Sequence, residues 1–248
     1  MDMSKVQVQF LGSGDAFGSG GRFQACLYVQ SEKFRFLIDC GASSLIAMKH
    51  FGVDPSVLDL VLLSHLHGDH FGGIPFLILD GQFHRRTRPL TVAGPPGLKT
   101  RVHQGMEIFF PGSAKVQQKF AIEFVELKER SQTTVGSLRV TPYSVIHPSG
   151  DPPYALRVEF EDKVIGYSGD TEWTEALVEA SRGADLFVCE AYFFEKKVKY
   201  HLDYQTLKEQ RKKLECRRLI LTHMSDDLLQ KLQGLEVEWA EDGQGIIL

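Results

Sequence analysis

The sequence predicts an α/β protein in which two mixed β-sheets pack face to face with helices on their outer faces. Three observations lead there. Short apolar strand-like runs recur from end to end. They follow one another early and alternate with helical periodicity later, whereas a doubly wound parallel sheet would alternate throughout. No stretch rich in Pro, Ser or charge interrupts them, so the chain is read as one domain, 1–248. A chain of 248 residues can bury a large core without staples, and 43% apolar with 24% charged residues excludes disordered, collagen-like and coiled-coil classes.

The early runs read VQVQFLG (6–12), ACLYVQ (25–30), FRFLIDC (34–40), LDLVLLSH (58–65), PLTVAG (89–94), FAIEFVEL (120–127) and LRVTPYSVI (138–146). The later ones are ALRVEFE (155–161), KVIGYSGD (163–170), DLFVCEA (185–191), RLILTH (218–223) and VEWAE (237–241). The first two of these form a hairpin turning at Glu161–Lys163. Helical periodicity occupies 43–51, 73–85, 97–109, 173–182, 204–215 and 225–233. Thr174 or Asp170 starts the fourth helix and Gly183 stops it.

Lys+Arg total 28 against 32 Asp+Glu, a balance of −4, whereas proteins that grip nucleic-acid backbone carry positive excess on at least one face. The basic clusters Arg85, Arg86 and Arg88, Lys196, Lys197 and Lys199, Arg211 to Lys213, and Arg217 with Arg218 read as solvated faces. The 4 cysteines are scattered without a Cys-x-x-Cys pair, which excludes a disulfide framework and a zinc knuckle. Cys26, Cys40 and Cys189 lie in apolar runs and read as small buried hydrophobes. The amino terminus, MDMSKVQVQF, lacks a basic segment followed by a long apolar one, and no run reaches the length of a membrane span. The expected address is the cytoplasm, with no membrane partner.

The strongest signal is Ser-His-Leu-His-Gly-Asp-His at 64–70. His65, His67, Asp69 and His70 follow an apolar strand and precede a Gly-Gly turn and a helix, so several imidazoles and a carboxylate enter one small volume. Composition alone yields His-x-His-x-Asp-His in about one such sequence in a thousand. Imidazole and carboxylate donors without thiolate suit zinc, with Mn2+ and Fe2+ as alternatives. So dense a set suits two ions about 3.5–4 Å apart better than one tetrahedral ion. Further ligands are sought where the same context recurs. His147, Asp170 and His223 each stand at the carboxyl end of an apolar strand, whereas His50, His84 and His103 read as surface histidines on helices.

At this point the sequence resembles the metallo-β-lactamase superfamily, over nearly the whole chain and in that family's motif order. The resemblance implies an αββα sandwich with a dinuclear site between the sheets. It implies that His65, His67 and His147 hold the first Zn2+, that Asp69, His70 and His223 hold the second, and that Asp170 bridges. The retained second histidine argues against the diiron oxidoreductase branch. FLGSGDAF (10–17), FLIDCG (36–41), GPPGL (94–98) and CEAYF (189–193) with His201 resemble the ribonuclease Z branch. Asp39 then fixes the tautomer of a ligand histidine, or simply forms a turn before Gly41. His201 resembles the branch's extra histidine near the leaving group, oriented by Glu190. Leu202-Asp203 departs from the Ser or Thr usual there, and the alternative is that His201 only opens a helix.

The branch also carries a basic, glycine-rich arm that grips tRNA, between the third-motif histidine and the bridging aspartate. Here only 22 residues separate His147 from Asp170, and the expected hairpin fills most of them. With the negative balance, this argues against tRNA as substrate. The expected activity is that of a dinuclear zinc phosphodiesterase acting on a small or short substrate, a cyclic nucleotide or oligonucleotide end, through a metal-bound hydroxide. Asp170 and Asp69 keep the nucleophile aimed, and His201 supplies a proton to the leaving oxygen. The stretch Gly12 to Arg22 either offers N–H groups or a cation to phosphate or covers the mouth as a mobile loop. Alternatives are a lactone, thioester or sulfate ester hydrolase of the same fold, and a metal-binding partner protein without turnover. The resemblance also admits a homodimer.

Overall fold

The computed structural model describes residues 5–150 and 152–248. Residues 1–4, part of the amino-terminal stretch read as free of a targeting segment, lie outside the described residues. The first sheet is built from β1 (Gln7–Gly12), β2 (Cys26–Gln30), β3 (Arg35–Ile38), β4 (Leu60–Leu62), β5 (Leu90–Gly94) and β6 (Ile122–Glu126). The second comprises β7 (Thr133–Val135), β8 (Leu138–Ser144), β9 (Tyr154–Phe160), β10 (Lys163–Tyr167), β11 (Leu186–Glu190), β12 (Leu219–Thr222) and β13 (Glu238–Trp239). β14 (Gly245–Ile247) returns to the first sheet beside β1. Each sheet has seven strands, in the orders β14-β1-β2-β3-β4-β5-β6 and β13-β12-β11-β10-β9-β8-β7.

Both sheets are half meander and half crossover. β14, β1, β2 and β3 pair antiparallel, then β3, β4, β5 and β6 run parallel. β7 to β10 pair antiparallel, then β10 to β13 run parallel. Parallel pairs need crossovers. In the first sheet these contain α1 (Ser44–His50), α2 (Gly68–Phe71), α3 (Ile74–Phe83) and α4 (Leu98–Phe109). In the second they contain α5 (Glu175–Ser181), α6 (Tyr204–Gln210) and α7 (Asp226–Leu229). Thr174 caps α5 by accepting from the Ala176 N–H, and Gly183, at φ 63, follows its end.

The two-residue side-chain period sorts each strand between two cores. Along β2 to β4, Leu27, Val29, Phe36, Ile38, Leu60 and Leu62 face the other sheet, where Val140, Leu156, Val158, Phe160, Ile165 and Val188 meet them. The alternate residues Tyr28, Leu37 and Val61 face outward against Met48, Ile74, Ile78 and Val102 of the helices. Leu177, Leu207 and Leu228 cover the outer face of the second sheet in the same way. Strands buried on both faces read as continuous apolar runs, which explains why they were visible in the sequence. Each such side chain stabilises the fold by about 1.5–3 kcal/mol.

Cys26, Cys40 and Cys189 are buried. Burial pushes the Cys26 thiol up to about 12. One basic residue departs from the solvated-face expectation. Arg86 is buried, and its guanidinium donates to the carbonyls of Pro55 (2.9 Å), Leu58, Arg88 (2.7 Å) and Pro89 (2.9 Å). It ties the chain after α3 to the loop before β4. Among the described residues, no helix is long and apolar enough to cross a membrane.

Candidate metal centre

The two sheets bring their strand ends together at one edge. His65 and His67 follow β4, and Asp69 and His70 lie on the short α2. His147 follows β8, Asp170 follows β10 and His223 follows β12. His65, His67 and His147 form one group of potential ligand atoms lying within 4.8 Å of one another. Asp69, His70, Asp170 and His223 form a second, with the same spread. Asp170 stands between them. Its carboxylate lies 3.9 Å from His65 Nε2 and 3.8 Å from His147 Nε2, and also 3.3 Å from His70 Nε2 and 3.4 Å from His223 Nε2. Gly169, at φ 56, is what lets this aspartate approach the opposite sheet. A Cβ there would sit 2.8 Å from the Tyr154 carbonyl and 3.1 Å from Ser64 Cβ.

The outer partners of the imidazoles fix which nitrogen faces inward. Ser64 donates its N–H and its hydroxyl to the Asp39 carboxylate, both at 2.8 Å, so its oxygen accepts from His65 Nδ1 at 3.0 Å. Asp39 accepts from His70 Nδ1 at 2.7 Å. His147 Nδ1 donates to the Tyr200 carbonyl at 2.9 Å, and His67 Nε2 donates to the Pro148 carbonyl at 3.2 Å. The inward nitrogens are therefore His65 Nε2, His147 Nε2 and His67 Nδ1, which turn lone pairs inward, and His70 Nε2, which faces the Asp69 and Asp170 carboxylates at 3.3 Å.

This arrangement fits cations. His67 Nδ1 and His147 Nε2 lie 3.0 Å apart, so two lone pairs converge where positive charge is needed. His65 Nε2, His70 Nε2 and Asp170 Oδ1 are buried without a hydrogen-bond partner, an expensive arrangement unless a ligand completes it. Burial, with His70 nearby, pushes His65 well below the usual imidazole range, and burial lowers His147 to about 4. Both are thereby held neutral, as ligation requires. Around the second group the carboxylates prevail. Burial would lower His223, but Asp170 and Asp69 outweigh it and raise it to about 9. Burial likewise opposes ionisation of Asp69, yet positive charge on His70, which the surrounding carboxylates raise well above the usual imidazole range, and the hydrogen bond from His223 hold it far below the carboxylate range. Two carboxylates and two imidazoles there suit a divalent ion, which would displace the imidazole protons on binding.

Behind the cluster stands the Glu190–His201 pair. Glu190, at the end of β11, is fully buried. It accepts the Thr171 N–H and, at 3.0 Å, His201 Nδ1. Burial would lower His201, but the hydrogen bond and charge of Glu190 outweigh it and raise it. The His201 ring stacks on His223 (5.7 Å, 11°) and meets the edge of His147 (5.0 Å). His201 therefore lies beside the cluster rather than at a distant helix start, although α6 begins close after it. His50, His84 and His103 stand apart from these groups. Sequence reading passed over Ser64, Tyr200 and Pro148 as positioning groups. Ser64 lay inside the motif, while the other two act through carbonyls, which no residue type advertises.

The stretch Gly12 to Arg22 borders the cavity at Ala16 and Phe17. Several of its N–H groups have partners: Phe17 and Ser19 donate to Asp15, Gly18 to the Asp15 carbonyl, Gly20 to Asp226 and Gly21 to Gly18. Ser13 and Phe23 both donate to Asp242. Arg22 turns away from the mouth to Ser13 Oγ (3.1 Å) and the Ala240 carbonyl (2.5 Å). These bonds tie the stretch to the chain near Asp226 and Asp242.

Fold and site together define a hydrolase of the metallo-β-lactamase superfamily, on its ribonuclease Z branch. Residues 6–242 match the family described as anti-Pycsar protein Apyc1, and the chain belongs to that family. Ribonuclease Z of Agathobacter rectalis is 28% identical over 277 residues, covering 91% of this chain and 89% of the relative. The metallo-β-lactamase fold protein YhfI from Bacillus subtilis has a TM-score of 0.81 at 22% identity, covering 99% of this chain and 100% of that one. A diphosphatase of the PhnP family has a TM-score of 0.78 at 19% identity, covering 97% of each chain.

Proposed function

We propose that this protein is a dinuclear, zinc-dependent phosphodiesterase acting on a small or short nucleotide substrate, a cyclic nucleotide or an oligonucleotide end. The reading rests chiefly on two donor sets meeting at Asp170 on the floor of a cavity of about 290 Å³, at the small end of ligand pockets. His65, His67 and His147 would hold one ion, Asp69, His70 and His223 the other, with Asp170 shared. When bound, two such ions supply an activated water near neutral pH and offset charge on phosphoryl oxygens. Imidazole and carboxylate donors favour zinc, and Mn2+ and Fe2+ suit the same set.

The chain's own groups do the remaining work. Asp39, Ser64, Pro148 and Tyr200 hold the four imidazole tautomers. Asp69 and Asp170 keep anionic oxygens on the cavity floor, where they orient the attacking water. Hydrolysis breaks one P–O bond, adds the water oxygen to phosphorus and sends a proton to the leaving oxygen. His201, its other nitrogen held by Glu190, is placed to give that proton.

Support for a small substrate comes from the interval between His147 and Asp170. The β9–β10 hairpin fills it, in the place where a tRNA-gripping arm would be expected. The site draws on both halves of the chain, which is in keeping with one domain over 1–248, and a cytoplasmic location accords with four unpaired thiols. The test is turnover of bis(p-nitrophenyl) phosphate by the zinc-loaded protein with Asp170→Ala as blank, followed by cyclic nucleotides and dinucleotides. Activity lost in the variant supports a diesterase. No turnover above the blank overturns it and moves the reading to lactone, thioester or sulfate esters.

A further inference from the structure

We infer that Phe17 is the platform on which the nucleobase of the substrate stacks while its phosphodiester lies on the polar floor. The inference rests on the phosphodiesterase reading. Phe17 is 84% exposed, the most exposed large apolar side chain among the described residues. Single exposed apolar residues are ordinary, so exposure alone decides nothing. Its position and its support decide.

The ring lines the mouth of the same cavity whose floor is His67, Asp69, His147, Asp170 and His223. The segment carrying it is fixed from within. Asp15 is fully buried, and its carboxylate accepts from the Phe17 N–H (3.2 Å), the Ser19 N–H (2.9 Å) and the Ser19 hydroxyl (2.7 Å). From outside, Gly20 donates to Asp226 (2.9 Å), while Ser13 (2.8 Å) and Phe23 (2.7 Å) donate to Asp242. With the Phe17, Ser19 and Gly20 N–H groups partnered and Arg22 turned to Ser13 and Ala240, the large side chain this segment offers a ligand is the Phe17 ring. An exposed apolar ring on a backbone anchored by buried Asp15, beside a charged floor, suits a molecule with a planar apolar part and an anionic part. A nucleobase joined to a phosphodiester is such a molecule, and stacking on a pre-positioned ring loses little conformational entropy.

A second mouth residue has a fixed backbone. Tyr200 takes a left-handed φ of 73°, held by its N–H to Glu172 (2.8 Å) and its carbonyl to His147 (2.9 Å). It too lines the cavity and is 40% exposed. The rim thus carries two exposed aromatic residues, with Lys199 beside them, where the floor is imidazole and carboxylate, which divides recognition of the base from chemistry at phosphorus.

The experiment compares kcat/KM for a 3′,5′-cyclic nucleotide, a dinucleotide and base-free ribose 3′,5′-cyclic phosphate. The zinc-loaded wild type, Phe17→Ala and Phe17→Trp are measured with each. Stacking of one base predicts that the preference for base-bearing over base-free substrate falls about 10-fold or more in Phe17→Ala and is kept in Phe17→Trp. Whether the cyclic nucleotide or the dinucleotide shows the larger loss identifies the source of the base. An unchanged preference in Phe17→Ala overturns the inference. Failure of the phosphodiesterase reading looks different: no diester is turned over by the wild type. Titration calorimetry with a nucleoside monophosphate then decides for Phe17, about 10-fold weaker binding in Phe17→Ala supporting it and equal affinity overturning it.

Discussion

Asp39 shows how a single residue can set the chemistry of a site it does not line. It sits at φ 58°, a left-handed conformation that costs a non-glycine residue about 1 kcal/mol or more. Four hydrogen bonds hold it there: its own N–H to the Leu62 carbonyl, and the donors of Ser64 and His70 to its carboxylate. His223, also at φ 58°, is held by its N–H to the Ser13 carbonyl. The strained backbone thus turns side chains at strand ends towards the cluster instead of along the strand. Asp39→Asn preserves shape but replaces one acceptor oxygen with a donor, facing either Ser64 or His70. It is expected to lower zinc affinity by roughly 10- to 100-fold, read by competition with a chromogenic chelator. Affinity equal to wild type would show that the carboxylate does not govern the His70 tautomer.

The elements differ in how legible they were, for physical reasons. Strands buried on both faces, such as β4 and β11, carry unbroken apolar runs, and half-buried ones such as β8 alternate, so β1 to β6 and β8 to β13 were visible within a few residues. β7 (TTV) and β14 (GII) were not, because each is too short to show a period, whereas the shorter β13 lies within the alternating run VEWAE. The helix read over 225–233 breaks into α7 and a separate 3-10 turn at Leu232–Gly234. The donors at 64–70 and the strand-end residues His147, Asp170 and His223 stood out because strand ends advertise themselves. The segment Gly12 to Arg22 did not, since its role depends on partners more than 200 residues away at Asp226 and Asp242. Its first glycine marks the bulge in β1, where a Cβ would lie 1.9 Å from the Gln24 carbonyl oxygen. Gly12→Ala should therefore destabilise the fold by about 1–3 kcal/mol. Gly234→Ala, with nothing within 4 Å, should cost little by comparison. Urea melts of the two variants test the contrast, and equal midpoints would refute the close approach.

On the scale of the molecule, the centre joins two sheets that otherwise meet mainly through apolar contact. Asp39, His65, His67, Asp69 and His70 come from the first half, and His147, Asp170, Glu190, His201 and His223 from the second. Without cations the carboxylates pair with His70 and His223, but the inward nitrogens of His65, His67 and His147 stay unsatisfied, so part of the stability of this edge comes from whatever binds. A ligand present at about a thousand times its Kd stabilises the native state by about 4 kcal/mol. For a chain of this length each kcal/mol moves the melting temperature by about 2–4 °C. Stripping the protein with a chelator should then lower the Tm by roughly 10 °C, and zinc should restore it. Asp170→Ala removes the shared carboxylate, so its melting temperature should respond far less to chelator or zinc. A wild-type Tm indifferent to both would mean that the two halves are held at this edge by packing alone, and that the cluster binds no metal tightly.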